Sequence, residues 1–232
     1  MNTECWYCDI AIAIGEKDKC NKGYQTEWCD EHCPIYRNMK CCFEASALPE
    51  KYWWPFSLKR SDIDKNAIKQ IKDIREDLTD FVYEGKNLLI QSEKCGNGKT
   101  SWGIKLLQKQ IELNYKQTIP PAFFVYVPNL LYEARKSISG KNTIFNKMEY
   151  MIENCPLVMF DDIGSVPLKD YDLLIMSNFI EKRITQNLSS IFTTNCVNEV
   201  LRANLGERLF DRVNRLSVVV TLKGNSMRGL DD

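Results

Sequence analysis

Ten residues, Ser92-Glu93-Lys94-Cys95-Gly96-Asn97-Gly98-Lys99-Thr100-Ser101, have the types and spacing that grip phosphate. They follow the apolar run Leu88-Leu89-Ile90, so the stretch reads as a strand, a glycine-bearing loop and the mouth of a helix. Backbone N–H groups of such a loop and helix N-terminus point at phosphate oxygens. Lys99 would reach the β and γ phosphates, and the Thr100 hydroxyl can hold Mg²⁺. Gly96 and Gly98 permit the tight turn and the close approach, with Asn97 between them and Ser101 in the first helical turn. Glu93 stands where the usual pattern opens with glycine. A side chain is acceptable there if its φ is negative and its carboxylate faces solvent.

A second motif, Leu157-Val158-Met159-Phe160-Asp161-Asp162, is an apolar strand ending in paired carboxylates. Asp161 is expected at the strand's C-terminal edge, where it would hold Mg²⁺ through water or through Thr100. Asp162 is placed to orient or deprotonate an attacking water. Residues 189–195 form another short strand, ending at Asn195. Asn195 either bonds the γ-phosphate or the attacking water, or caps a helix over 197–203; spacing leaves both open. Arg208 and Arg212, four apart, share a helix face. They could stabilise charge on a transferred phosphoryl group from a neighbouring subunit, or simply pair with Glu207 or Asp211.

The elements that would position these groups alternate. An amphipathic helix is expected over 62–83, with Ile63, Ile71, Ile74, Leu78 and Phe81 on its apolar side. A helix is predicted over 99–114, a strand over 122–127, and a helix of about ten residues from Pro128. Another helix follows over 171–187, and a last strand over 217–222. Strand–helix alternation implies a five-stranded parallel sheet in a three-layer α/β sandwich. The basic, glycine-containing stretch 135–142 reads as a mobile loop, either solvated or set to hold single-stranded DNA.

The N-terminal 42 residues contain Cys5, Cys8, Cys20, Cys29, Cys33, Cys41, Cys42 and the lone His32. Cys5-x-x-Cys8 with Cys29-x-x-His32-Cys33 has the spacing of a tetrahedral Zn²⁺ site. Cys5, Cys8, Cys29 and Cys33 are the chosen ligands; Cys20, Cys41, Cys42 and His32 remain substitutes. Disulfides would need an oxidising compartment, and no signal peptide is seen. Cys95, Cys155 and Cys196 read as unligated thiols. The expected division is a zinc-binding partner domain over 1–45, a linker over 46–60 containing Trp53 and Trp54, and an ATPase domain over 61–232.

Basic and acidic residues balance at 31 each, so no global field draws the chain to nucleic acid, and any such contact must be a local patch. No apolar run reaches membrane-spanning length.

The ordered set of phosphate loop, Asp-Asp strand, Thr193-Thr194-Asn195 strand, Arg-rich helix and Gly224-Asn225-Ser226-Met227-Arg228 resembles the AAA+ ATPases of the DnaC/DnaI helicase-loader group, to which IstB also belongs. The resemblance covers residues 46–232. It implies that Asn195 is sensor 1, that Arg212 is the first choice for arginine finger and Arg208 the second, and that Arg228 is the sensor 2 candidate. The group also lacks a helical lid after this point, as expected here. The implied function is ATP- and Mg²⁺-dependent loading of a replicative hexameric helicase onto single-stranded DNA. The expected particle is a cytoplasmic homo-oligomer, in a phage or mobile-element version. An IstB-like transposition ATPase and a catalytically weak adaptor that sequesters a helicase or loader are the alternatives.

Overall fold

The structure, a computed structural model, describes residues 33–53, 56–58 and 61–226. Five strands, β1 (Asn87–Gln91), β2 (Ala122–Tyr126), β3 (Leu157–Asp161), β4 (Ser189–Thr194) and β5 (Ser217–Thr221), form one sheet. Their order is β2-β3-β4-β1-β5, and every pairing is parallel. Every residue of β3 and β4 is buried. The unbroken apolar run in β3 is what a strand covered on both faces requires.

Nine α-helices flank the sheet among the described residues: α1 (Pro34–Ala45), α2 (Lys65–Glu76), α3 (Leu78–Tyr83), α4 (Lys99–Asn114), α5 (Val127–Ser137), α6 (Thr143–Asn154), α7 (Asp170–Thr185), α8 (Asn198–Leu205) and α9 (Glu207–Arg215). The pleat sends alternate side chains of β1 to opposite layers. Leu88 and Ile90 join the core beneath α1 to α4, while Leu89 joins the core beneath α5 to α9. The expected three-layer α/β sandwich with a five-stranded parallel sheet is present.

Three elements depart from the sequence expectation. The helix expected over 62–83 is broken into a 3-10 turn (Asp62–Asp64), α2 and α3, with Asp77 outside both helices. Ile63 is 70% exposed, so it is no core residue. Asp64 instead is buried, where it accepts the Lys223 and Gly224 N–H groups. The stretch 135–142 is not all loop: Arg135, Lys136 and Ser137 complete α5. Arg135 makes a two-pronged pair with Asp172, at 2.9 and 2.5 Å, and Asn142 caps α6. Helix α6 itself went unread between two recognised segments.

Helix α1, assigned from its cysteines to the N-terminal unit, packs into the same core as the sheet. Met39 and Phe43 are fully buried there. The chain then turns at Ala47 (φ 57°), and Ser46 accepts a backbone hydrogen bond from Phe124 on the outer edge of β2. Trp53 stacks on Phe43 and donates its indole N–H to the Leu48 carbonyl at 2.8 Å, so packing accounts for it. Trp54 lies outside the described residues.

Candidate nucleotide site

The site is assembled at the C-terminal ends of β1, β3 and β4, three adjacent strands. Open α/β sheets place ligands at this end. Parallel register sets Phe160 beside Phe192, whose rings stack at 5.5 Å, so the next step along both strands brings Asp161 beside Thr193. Oδ1 of Asp161 accepts from the Thr193 hydroxyl at 2.6 Å and from the Thr100 hydroxyl at 2.8 Å. Burial pushes the Asp161 carboxyl above the usual range and Asp162 adds to the push; the two hydroxyls and Lys99 oppose them.

Asp162 follows with φ 63°, in the left-handed region that few side chains adopt. Thr193 holds this turn by accepting the Asp162 N–H at 3.0 Å. The turn aims Asp162 at Asn195, whose Nδ2 donates to Oδ1 of Asp162 at 2.9 Å. Asn195 does not cap α8, whose N-cap position is Val197, and its side chain bonds Asp162 instead.

Glu93 opens the phosphate loop where glycine is usual, and Ser92 precedes it. The Ser92 hydroxyl accepts from the Lys94 N–H at 3.1 Å and from Nδ2 of Asn97 at 2.5 Å, closing the turn that glycine usually permits. Glu93 is exposed and is not among the residues with positive φ, so both conditions for tolerating it are met. Gly96 (φ 77°) and Gly98 (φ 97°) do adopt the left-handed conformation. Gly98 precedes α4, whose first turn of Lys99, Thr100 and Ser101 contains no acidic residue and presents the unpaired N–H groups of a helix start. Lys99 is buried, with Nζ donating to the Lys94 carbonyl at 2.7 Å and to Oδ1 of Asn97 at 3.2 Å. A buried cation at the start of a helix fits an anionic ligand. The hard oxygen donors of Thr100 and Asp161 fit Mg²⁺.

The structure does not bring the two arginines into this cluster. Arg208 and Arg212 both reach Oε1 of Glu181 on α7, at 2.8 and 2.6 Å. Sequence spacing had offered Glu207 and Asp211 as partners. Glu207 pairs with Arg202, and Asp211 with Arg215. Arg228 lies outside the described residues, as do Cys5, Cys8, Cys20, Cys29 and His32. Among the described residues no group of three or more His, Cys, Asp or Glu side chains is arranged to hold a metal. Cys33 caps α1, its sulfur accepting the Tyr36 N–H at 3.4 Å. Cys42 is buried, donates to the Tyr115 carbonyl, and has a pKa raised to about 11 by burial and then by Cys41. Cys155 is raised to about 12 by burial, as a core thiol. Thr193, Ser92 and Glu181 were not singled out from sequence. Thr193 is placed by strand register, one step beyond the strand partner of Phe160.

Fold and site together define a class: a three-layer α/β domain with a phosphate loop at the end of an interior strand and paired carboxylates two strands away. No family model matches the sequence, and no curated protein matches it. Solved structures do. The DnaC helicase loader is similar with a TM-score of 0.62 and 22% identity, over 75% of this chain and 100% of that one. DnaI gives 0.58 and 24%, over 75% and 94%. A putative primosome component from Streptococcus pyogenes serotype M3 gives 0.57 and 22%, over 81% and 97%. AMPPCP-bound DnaA from Aquifex aeolicus gives 0.55 and 16%, over 76% of this chain and 51% of that one. The chain thus has the fold of the DnaC/DnaI helicase loaders, the resemblance its motifs suggested.

Proposed function

We propose that this chain is an ATP-dependent replication factor that delivers a replicative hexameric helicase onto single-stranded DNA. The observation that carries the ATPase part is the convergence of the Thr100 and Thr193 hydroxyls on Asp161, beside buried Lys99 and the Asn195–Asp162 pair. Lys99 leaves the Lys94 carbonyl and Asn97 to meet the β and γ phosphates. Mg²⁺ held by Thr100 and Asp161 would draw charge from the phosphate oxygens. Asp162, fixed by Asn195, orients the attacking water.

The loader part is supported by likeness to DnaC and DnaI. Single-stranded DNA as stimulant has a parallel in a DnaA structure bound to AMPPCP and single-stranded DNA. Arg212, with Arg208 behind it, acts on the nucleotide of a neighbouring copy in an ATP-bound spiral. The segment before α1 binds zinc through Cys5, Cys8, Cys29 and Cys33 and grips the helicase.

The test mixes the purified protein with the host's replicative helicase. Complex formation and DNA-stimulated ATP hydrolysis are measured together, with Lys99→Ala as control. A stable complex whose hydrolysis vanishes in Lys99→Ala supports the loader. A complex without hydrolysis supports an adaptor, and hydrolysis without a complex refutes the loader.

A further inference from the structure

Asp64 is a buried carboxylate far from the phosphate loop in sequence, yet three hydrogen bonds tie it to the chain beyond β5. Its Oδ1 accepts the Lys223 N–H at 2.6 Å and the Gly224 N–H at 3.2 Å, and its Oδ2 accepts the Gly224 N–H at 3.0 Å. The fit is close. A Cβ at Gly224 would lie 2.5 Å from Oδ2 of Asp64 and 2.6 Å from Cβ of Ser61, so position 224 admits no side chain while Asp64 holds its seat. The segment pinned in this way lies against the phosphate loop. The Leu222 carbonyl accepts from Nδ2 of Asn97 at 3.5 Å, and Oδ1 of Asn225 accepts from Nζ of Lys94 at 2.6 Å. Asn97 and Lys94 are also the two residues whose oxygens hold Lys99.

We propose that Asp64 is a positioning residue for the phosphate loop: it clamps residues 222–226, which brace Asn97 and Lys94 and so set where Lys99 waits for phosphate. The inference rests on the nucleotide-site reading above and adds residues to it. Carboxylate–amide hydrogen bonds are stronger than neutral ones, so their loss frees the segment. The brace stands in for the missing first glycine. Such a loop has one less point of close backbone approach to phosphate, and it gains order from outside.

The test is amide hydrogen exchange without nucleotide, read together with Mg·ATP affinity, on the full chain. In Asp64→Ala, exchange should rise about tenfold both in 222–226 and in 92–98, and Mg·ATP should bind about tenfold more weakly. Asp64→Asn keeps an acceptor oxygen and should recover most of both effects. Asn225→Ala, at an exposed position that cannot unfold the chain, should loosen 92–98 and leave the Lys223 and Gly224 amides protected. Loosening of 222–226 in Asp64→Ala with 92–98 unchanged would overturn the brace, as would unchanged 92–98 in Asn225→Ala. Failure of the wild type to bind Mg·ATP would overturn the nucleotide reading, while the exchange data would still decide the brace.

Discussion

Asp161 sits in a conflict between stability and function. Its carboxyl is raised by burial, so the folded state holds its proton to higher pH than the unfolded state does. The stability this group contributes is present below its unfolded pKa and is lost as pH rises through the raised folded value. Asp161→Asn removes the buried charge and keeps an oxygen for Thr100 and Thr193. Without nucleotide, its Tm should exceed that of the wild type at neutral pH by about 2–4 °C. The gap should close as pH falls toward the unfolded carboxylate pKa. Mg²⁺-dependent hydrolysis should be lost in the same variant. Scanning Tm against pH for both proteins checks the sign. For Asn195→Ala, kcat should fall about 100-fold with KM little changed, because Asn195 touches Asp162 and not the phosphate loop. The positions of Lys99, Thr100, Asp161, Asp162 and Asn195 were legible in sequence because the motifs that carry them are local runs. Thr193 and Asp64 were hidden because their partners are set by strand register or lie as far as residue 224, and Ser92 because a serine before a loop does not show which of the nearby donors its hydroxyl will accept.

Among the elements, the N-terminal ends of β3 and β4 are held by one side chain. Arg183 of α7 is fully buried and donates to the carbonyls of Ile152, Cys155, Pro156 and Ser189 and to the Ser190 hydroxyl. Burial lowers its pKa to about 9, which leaves it charged at neutral pH and solvated by four carbonyls and one hydroxyl among these partners. Arg183→Met would strand those carbonyls and should cost about 3–5 kcal/mol, lowering Tm by about 10 °C in a thermal melt. A melt within 2 °C of wild type would remove Arg183 from this role. Arginine in the last turn of a helix reads in sequence as a solvated residue, so this brace had no signal. Strand β3 was legible because its first four residues are all apolar. The broken helix at Asp77 and the unread α6 were not, because tertiary packing of Ile71, Leu78 and Phe145, rather than helical period alone, decides their limits.

For the whole molecule, the proposed finger would make the site a shared one. Glu181 holds Arg208 and Arg212 on α9 in one orientation, and neither is bonded to the phosphate-loop cluster of its own chain. If Arg212 serves a neighbour, Arg212→Ala should lower hydrolysis at least about 100-fold. Mixing Arg212→Ala with Lys99→Ala should restore part of it, since mixed pairs rebuild one intact site. No recovery on mixing would confine the site to one chain.

Among the described residues no helix is long and apolar enough to cross a membrane. All of the proposed chemistry depends on a nucleoside triphosphate entering the loop between β1 and α4. Calorimetric titration of the full chain with ATP, with and without Mg²⁺, on wild type and Lys99→Ala, tests this most directly. The account predicts Mg²⁺-dependent binding by the wild type and none by Lys99→Ala. Equal binding by the two proteins, or no binding by the wild type, would contradict it.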